Sequence, residues 1–316
     1  MRHLFILNPI AGGGKRTGEV RAEIQRVMEA QAEPWELYET TGPVDAIRKV
    51  REAAGATTEL ERLRVYACGG DGTLNECVNG AVGQKHVAVT HFPTGTGNDF
   101  IKTFEAGRED FFRLEQLLEG VEMLLDVIDV DGRYGVNICS VGFDARIGND
   151  VHKYSALPFI GGKGGYVVSL LANMIKGIAQ EFEIEAGGRV MRKKFTLLCF
   201  CNGRSYGGSF HPVPEAMPDD GRLDILLVKQ VSRLTVAQVV RKYAAGKYRE
   251  LPQIITYLQE NTLTVRADKA FVVNVDGEIL HKREVTFSLL PGAVNFFAPK
   301  GASFNASKTN SFSESY

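Results

Sequence analysis

Ala67-Cys-Gly-Gly-Asp-Gly-Thr-Leu-Asn75, followed after a short helical stretch and an apolar run by Pro93-Thr-Gly-Thr-Gly-Asn98, decides how this chain is read. Each glycine-rich turn closes an apolar run and precedes a helix-compatible segment. That is a way to present backbone amides to an anion, because glycine tolerates φ above zero and puts no side chain in the ligand's path. Asp71 has a short side chain among small neighbours and can orient a magnesium-bound phosphate or its waters. Thr73 can cap a helix over Leu74–Val78 while offering its hydroxyl to a ligand. An Asp-Gly turn followed by a helix cap would satisfy the same residues.

Outward from these turns, strands alternate with helices. Leu4–Leu7 reads as a short buried strand that ends at Asn8-Pro9, and Val20, Ile24 and Val27 give the next segment an apolar helical face. Between them, Gly12-Gly-Gly-Lys15 puts Lys15 where it either meets phosphate or is simply solvated, and it lacks the P-loop pattern. Trp35–Tyr38, Leu63–Ala67 and Val87–Thr90 are further strands. Pro43 is placed to open a helix through Val44, Ile47 and Val50. This alternation predicts a layered α/β domain whose mostly parallel sheet gathers its loops at one edge. No Gly-x-Gly-x-x-Gly follows the first strand, which argues against a dinucleotide fingerprint.

Beyond about Leu124 the pattern changes to short strands separated by turns, among them Glu181–Glu185, Phe195–Cys201, Leu223–Lys229, Asn261–Arg266 and Phe271–Val275, with a helix over Thr235–Ala245. A largely antiparallel sandwich follows. Val285–Leu290 and Ala293–Phe297 read as two closing strands.

The 316 residues carry a net charge of -1, so a general attraction to nucleic acid is not indicated. No apolar run reaches the roughly 18 residues of a membrane span, and cytoplasmic is the default location. Cys68, Cys77, Cys139, Cys199 and Cys201 match no zinc spacing and read as buried thiols.

Taken together, Gly69-Gly-Asp-Gly-Thr-Leu-Asn75, Pro93-Thr-Gly-Thr-Gly-Asn-Asp-Phe100, Asn8-Pro9 and Asp126 resemble the diacylglycerol kinase catalytic-domain family, in its soluble bacterial lipid-kinase branch, related to sphingosine and ceramide kinases. The resemblance runs from Leu4 to about Phe297. It implies a two-domain α/β plus mostly β lipid kinase: a Rossmann-like domain over residues 1–124, completed by about 286–298, a β-rich antiparallel sandwich for the lipid over 125–285, and a flexible tail over 299–316. ATP between the two domains is the implied phosphate donor, with Mg2+.

In the nucleotide site the resemblance implies Asn8, Lys15, Thr40, Gly69, Gly70, Asp71, Gly72, Thr73, Leu74, Asn75 and Thr96. Glu278 is the implied general base, with Asp71 and Asp126 organising Mg-ATP. Asp276 and Lys163 are implied near the substrate phosphate. Met217-Pro-Asp-Asp-Gly-Arg-Leu-Asp224 is similar to a structural magnesium loop, with the Asp220 side chain and the carbonyls of Met217 and Arg222 as ligands. Without the resemblance this loop is a solvated acidic turn, and Asp276 and Glu278 are two acids on a hairpin rim. The implied acceptor is a lipid alcohol, with diacylglycerol expected, and Phe143, Leu157, Phe159 and Tyr166 are candidates for its pocket or for ordinary core. Transient contact with the inner face of the membrane is expected, and a homodimer is left open. An NAD kinase shares the Gly-Gly-Asp-Gly-Thr turn and is the alternative enzyme. A noncatalytic lipid- or nucleotide-binding protein is the alternative of another class.

Overall fold

The computed structural model describes residues 1–58, 60–142, 145, 179–208 and 210–305. The chain divides into two compact units, Met1–Val127 together with the chain from Pro291 onward, and Ile128–Leu290. It therefore crosses between units twice, three residues beyond the first expected boundary and five beyond the second.

The first unit is built on β1 (Arg2–Leu7), β2 (Trp35–Glu39), β3 (Leu63–Gly69) and β4 (Val87–Pro93). They lie in the order β2-β1-β3-β4 and all run parallel. Every residue of β3 and β4 is buried, as strands covered on both faces must be, which is why they read as unbroken apolar runs. Helices α1 (Thr17–Met28), α2 (Asp45–Gly55), α3 (Asp71–Ala81) and the short α4 (Leu114–Leu118) complete the layers. The order reverses between β1 and β3, so the loops leaving their carboxyl ends diverge and open a crevice.

Two helix starts differ from expectation. α2 begins at Asp45, leaving Pro43 outside and Val44 exposed at φ 70°. The Asp45 carboxylate takes the amide and hydroxyl of Thr41, the Tyr38 hydroxyl and Arg48, and these partners hold it well below the usual carboxylate range. α3 begins at Asp71 behind Gly70, so Thr73 lies inside its first turn and does not cap it.

α2 and α3 approach each other at Gly80, where an added Cβ would stand 2.7 Å from Val50 Cβ and 3.1 Å from the Ile47 carbonyl oxygen. A Gly→Ala change in a helix interior ordinarily gains up to about 1 kcal/mol. Here Gly80→Ala is expected to lose about 1–3 kcal/mol by overpacking, because the β-branched Val50 has little rotamer freedom to retreat. Chemical denaturation of Gly80→Ala, and of the same variant carrying Val50→Ala, checks this: the second change should recover most of the loss.

Near the start of β1, between its two neighbouring strands, His3 is buried between the Tyr66 hydroxyl (2.9 Å) and Glu33 (2.8 Å). Burial pulls its pKa below the ordinary 6.5, with Glu33 opposing. The unfolded chain then protonates this imidazole at a higher pH than the folded one. Stability is thus full above about pH 6.5 and falls as pH drops below it. Melting temperatures between pH 7 and 5.5 should decline less steeply for His3→Gln than for the parent.

The second unit is antiparallel. The end of β5 (Val121–Val130) leads to β6 (Arg133–Gly135), β7 (Ile138–Gly142), β8 (Gln180–Ala186), β9 (Arg189–Cys201), β10 (Asp224–Lys229), α5 (Arg233–Ala244), β11 (Ile255–Gln259), β12 (Thr262–Val275) and β13 (Glu278–Ala298). Successive residues of β9 serve different cores, as the period-2 pleat requires. Leu198 and Phe200 enter one with Phe182, Phe271 and Phe287, while Cys199 and Cys201 enter another with Leu226 and Tyr243. The Phe200 and Phe287 rings stack at 3.8 Å.

The two closing strands of the sequence reading are one strand. β13 pairs antiparallel with β12, passes Pro291-Gly292 and continues into the first unit, where Asn295 and Phe296 lie parallel to Ala88 and Val89 of β4. The first part of the expected flexible tail is packed on the first unit. Ser303 bridges Ala106, and Phe304 is buried with its ring 4.3 Å from that of Phe104. The remainder of that tail, 306–316, lies outside the described residues.

Candidate functional site

Three loops leave the carboxyl ends of β1, β3 and β4, and they interlock. Gly12, Gly13 and Gly14 all have positive φ, and a Cβ on Gly12 would lie 2.6 Å from the Thr94 carbonyl oxygen. A Cβ on Gly95 would lie 2.5 Å from Gly70 Cα, so the second and third loops touch backbone to backbone. The Gly69 carbonyl accepts the amides of Thr94 (2.9 Å) and Gly95 (3.1 Å). Asn8 joins the first loop to the second, its Nδ2 donating to Thr73 Oγ1 at 3.2 Å.

Asp71 ties this knot from inside. Its Oδ1 accepts the amides of Asp99 (2.6 Å) and Phe100 (3.2 Å), and Gly97 is small enough to admit Oδ2. Burial pushes its carboxyl above the ordinary range; His91 opposes this and Asp99 adds to it. His91, buried in β4, faces the Gly69 carbonyl through Nε2 at 3.1 Å. A carbonyl only accepts, so the proton sits on Nε2, and burial keeps the ring's pKa below its ordinary value.

Above the knot, the first-turn amides of α3 have no carbonyl four residues back and point outward from a helix amino terminus. Gly72 is exposed, with open space where a side chain would be. Lys15 and Thr96 are exposed on neighbouring loops, and Thr40 follows β2 with its amide on the Leu7 carbonyl. Leu74 and Asn75 are buried side chains of α3, Asn75 Oδ1 taking Asn79 Nδ2 at 3.1 Å.

Sequence reasoning did not single out His91 or Thr94 at this site, and it gave Asn98 the part of a helix cap or of a residue that fixes the loop. Thr94 Oγ1 and Asn98 Oδ1 are buried with no hydrogen-bond partner among the described residues, and Asn98 holds φ 49°. The signal was there in polar residues set into a buried strand and turn. Asp126 is buried and accepts the Gly292 amide at 2.8 Å, joining the two segments of the first unit.

In the second unit Asp276-Gly277 forms the two-residue turn between β12 and β13, with φ 50° and 98°, the torsions that Asp-Gly favours in a hairpin. The Asp276 carboxylate receives three successive amides, from Val136 (2.6 Å), Asn137 (3.1 Å) and Ile138 (2.8 Å), while Asn274 Oδ1 receives the Gly277 amide. Asp276 therefore fixes the turn. Glu278, the next residue but one, opens β13 opposite Val275 with an exposed side chain.

Asp220 Oδ1 accepts the Arg222 amide at 3.0 Å across Gly221, whose φ is 71° and whose carbonyl takes Asn261 Nδ2. Among the described residues no group of three or more His, Cys, Asp or Glu side chains could hold a metal ion. One carboxylate with the carbonyls of Met217 and Arg222 is a set of hard oxygen donors and suits magnesium in kind. The five thiols are free and buried, the environment in which a cysteine is least reactive. Lys163 lies outside the described residues, as do Phe143, Leu157, Phe159 and Tyr166.

Among known proteins, a "Putative lipid kinase" of Staphylococcus epidermidis is 26% identical over 260 residues, covering 82% of this chain and 83% of that protein. A protein of the same description from Staphylococcus aureus is 25% identical over 231 residues, 73% and 75% of the two chains. Two crystal structures from Bacillus anthracis are similar: one titled a "putative diacylglycerol kinase" (TM-score 0.74, 24% identity, 96% of each chain) and one of diacylglycerol kinases (0.69, 21%, 96% and 98%). At those identities the structural likeness is one of fold. Residues 2–130 match the diacylglycerol kinase catalytic domain, and residues 137–298, just over half of the chain, match the YegS C-terminal NAD kinase beta sandwich-like domain. The chain belongs to this family of two-domain lipid kinases, diacylglycerol kinase catalytic domain first and YegS-type sandwich second.

Proposed function

We propose that the protein transfers the γ-phosphoryl group of ATP to the hydroxyl of a lipid alcohol, with diacylglycerol as acceptor and phosphatidic acid as product. The observation that carries this reading is the glycine-lined, interlocked loop set at the carboxyl edge of a parallel sheet, capped by a helix amino terminus, in a chain of this family. Such an edge suits a triphosphate: amides and a helix dipole neutralise charge without side chains in the way.

Phosphoryl transfer asks the protein mainly for positioning and charge stabilisation. In this reading the amides of Gly70–Thr73 bind phosphate oxygens, with Asn8 and Asp71 keeping their loops in register and Lys15, Thr40 and Thr96 adding contacts. Asp126 holds the return segment through the Gly292 amide. Glu278 accepts the acceptor's hydroxyl proton as its oxygen attacks the γ-phosphorus, on a turn whose aim Asp276 sets. Magnesium bound with ATP supplies charge neutralisation. Asp220 and the carbonyls of Met217 and Arg222 would hold a second magnesium, which would steady the loop that enters β10.

Labelled ATP offered with diacylglycerol, sphingosine, ceramide, other lipid alcohols and NAD tests the reading. Transfer to diacylglycerol above the other acceptors is expected. Phosphorylation of NAD without any lipid product would overturn it in favour of the NAD kinase alternative, which shares the sandwich type of residues 137–298. ATP binding with no transfer to any acceptor would favour a noncatalytic binding protein.

A further inference from the structure

Within the second unit, α5 stands out by what it leaves uncovered. Ser232 Oγ caps its start by accepting the Thr235 amide, and its inner side packs Val239 and the buried Tyr243 on the core that holds Cys199 and Leu226. Leu234 points the other way and is 69% exposed, between the exposed Arg233 and the half-buried Thr235. Ala237, Gln238, Arg241 and Lys242 are exposed along the same helix.

The charge around this helix is one-sided. From residue 229 to 249 the chain carries Lys229, Arg233, Arg241, Lys242, Lys247 and Arg249 and no Asp or Glu, in a protein whose net charge is only -1. All six side chains belong to exposed residues. Among the described residues Glu250 meets Lys242 (3.0 Å) and Lys247 (3.7 Å), and Glu215 meets Arg249 (2.7 Å); with Arg233 left out of the count, five cations stand against these two carboxylates. Exposed pairs of this kind add little to stability, so the fold itself gains little from concentrating cations here.

We propose that the outer side of α5 and its flanking cations form the surface on which the protein docks to an anionic phospholipid bilayer, with Leu234 entering the interfacial layer. The inference rests on the lipid-kinase reading, which requires an acceptor dissolved in a membrane. Clustered Lys and Arg are attracted to an anionic leaflet, and a large apolar side chain raised among them adds burial in the headgroup–acyl boundary. A nucleic acid would use the cations alone and gain nothing from an exposed leucine.

The test is co-sedimentation of the full chain with phosphatidylcholine vesicles, with and without about one third phosphatidylglycerol. Binding should require the anionic lipid and weaken as salt rises from about 0.05 to 0.5 M. Arg241→Glu/Lys247→Glu should lower the partition coefficient at least about tenfold. Leu234→Asp should lower it while leaving the melting temperature unchanged, since the side chain covers no core. Transfer to an acceptor dispersed in detergent should be the same for parent and variants. Equal vesicle binding by parent and variants, or equal binding to neutral and anionic vesicles, would overturn the proposal, as would retention on duplex DNA without sedimentation on anionic vesicles. Vesicle binding that follows the expected pattern in a protein inactive toward every dispersed acceptor would leave the docking surface standing and remove the kinase reading.

Discussion

Replacing Glu278 with Gln is expected to lower phosphoryl transfer by about 100-fold or more, the scale of a lost general base, while ATP affinity and melting temperature should stay near those of the parent. The structural ground for expecting so clean a separation is that Glu278 does not hold its own hairpin. The turn is fixed by Asp276, through the amides of Val136, Asn137 and Ile138, and by Asn274 through the amide of Gly277. Glutamine keeps the length and polarity of the exposed side chain and loses the ability to take a proton. A single-turnover measurement at saturating ATP isolates the transfer step. Near-parental turnover would reject Glu278 as the base, and a collapse in ATP affinity would show that it serves the nucleotide instead.

Asp71→Ala should be as damaging for a different reason. It strips the acceptor from the amides of Asp99 and Phe100, in a buried setting where each orphaned donor costs about 1–3 kcal/mol. The two glycine turns then lose their internal tie, and ATP affinity is expected to fall at least about tenfold, the equivalent of about 1.4 kcal/mol, together with a drop in melting temperature. Asp71→Asn separates the clamp from the charge. Its Oδ1 can still accept both amides, so stability should largely return; if transfer stays low, the carboxylate's charge matters to the nucleotide and its magnesium. Calorimetric titration with ATP and thermal melts of both variants decide between these. Unchanged ATP affinity and melting temperature in Asp71→Ala would remove the residue from the site.

The parts of this molecule that could be read directly are those where local chemistry and tertiary context agree. Val20, Ile24 and Val27 bury the face their spacing predicts, and β3 and β4 read as apolar runs because both faces are covered. The glycine turns were legible as sites of positive φ or close approach, yet what approaches them was not. That Gly12 faces the Thr94 carbonyl, or Gly95 faces Gly70, depends on loops that only the sheet brings together. Pro43 and Thr73 suited the helix positions assigned to them, and longer-range partners moved both starts. The carboxylate of Glu76 takes the amides of Val44 and Ala46, while Asn8 takes up the Thr73 hydroxyl. Phe304 gave no periodic signal, since a lone aromatic docking on Phe104 leaves no pattern in its own neighbourhood. At Asp276 the acidic turn was visible, but its three amide donors come from a segment about 140 positions earlier.

The passage of β13 from one unit into the other has a consequence for how the protein is made. The parallel sheet receives its fifth strand, next to β4, only from residues near Asn295 and Phe296. A ribosome therefore delivers the whole of the antiparallel unit before the nucleotide-binding unit owns its last strand. Until then the outer edge of β4 is an unpaired ladder in the growing chain, and the later half of the sequence has every residue it needs to close ahead of the earlier half.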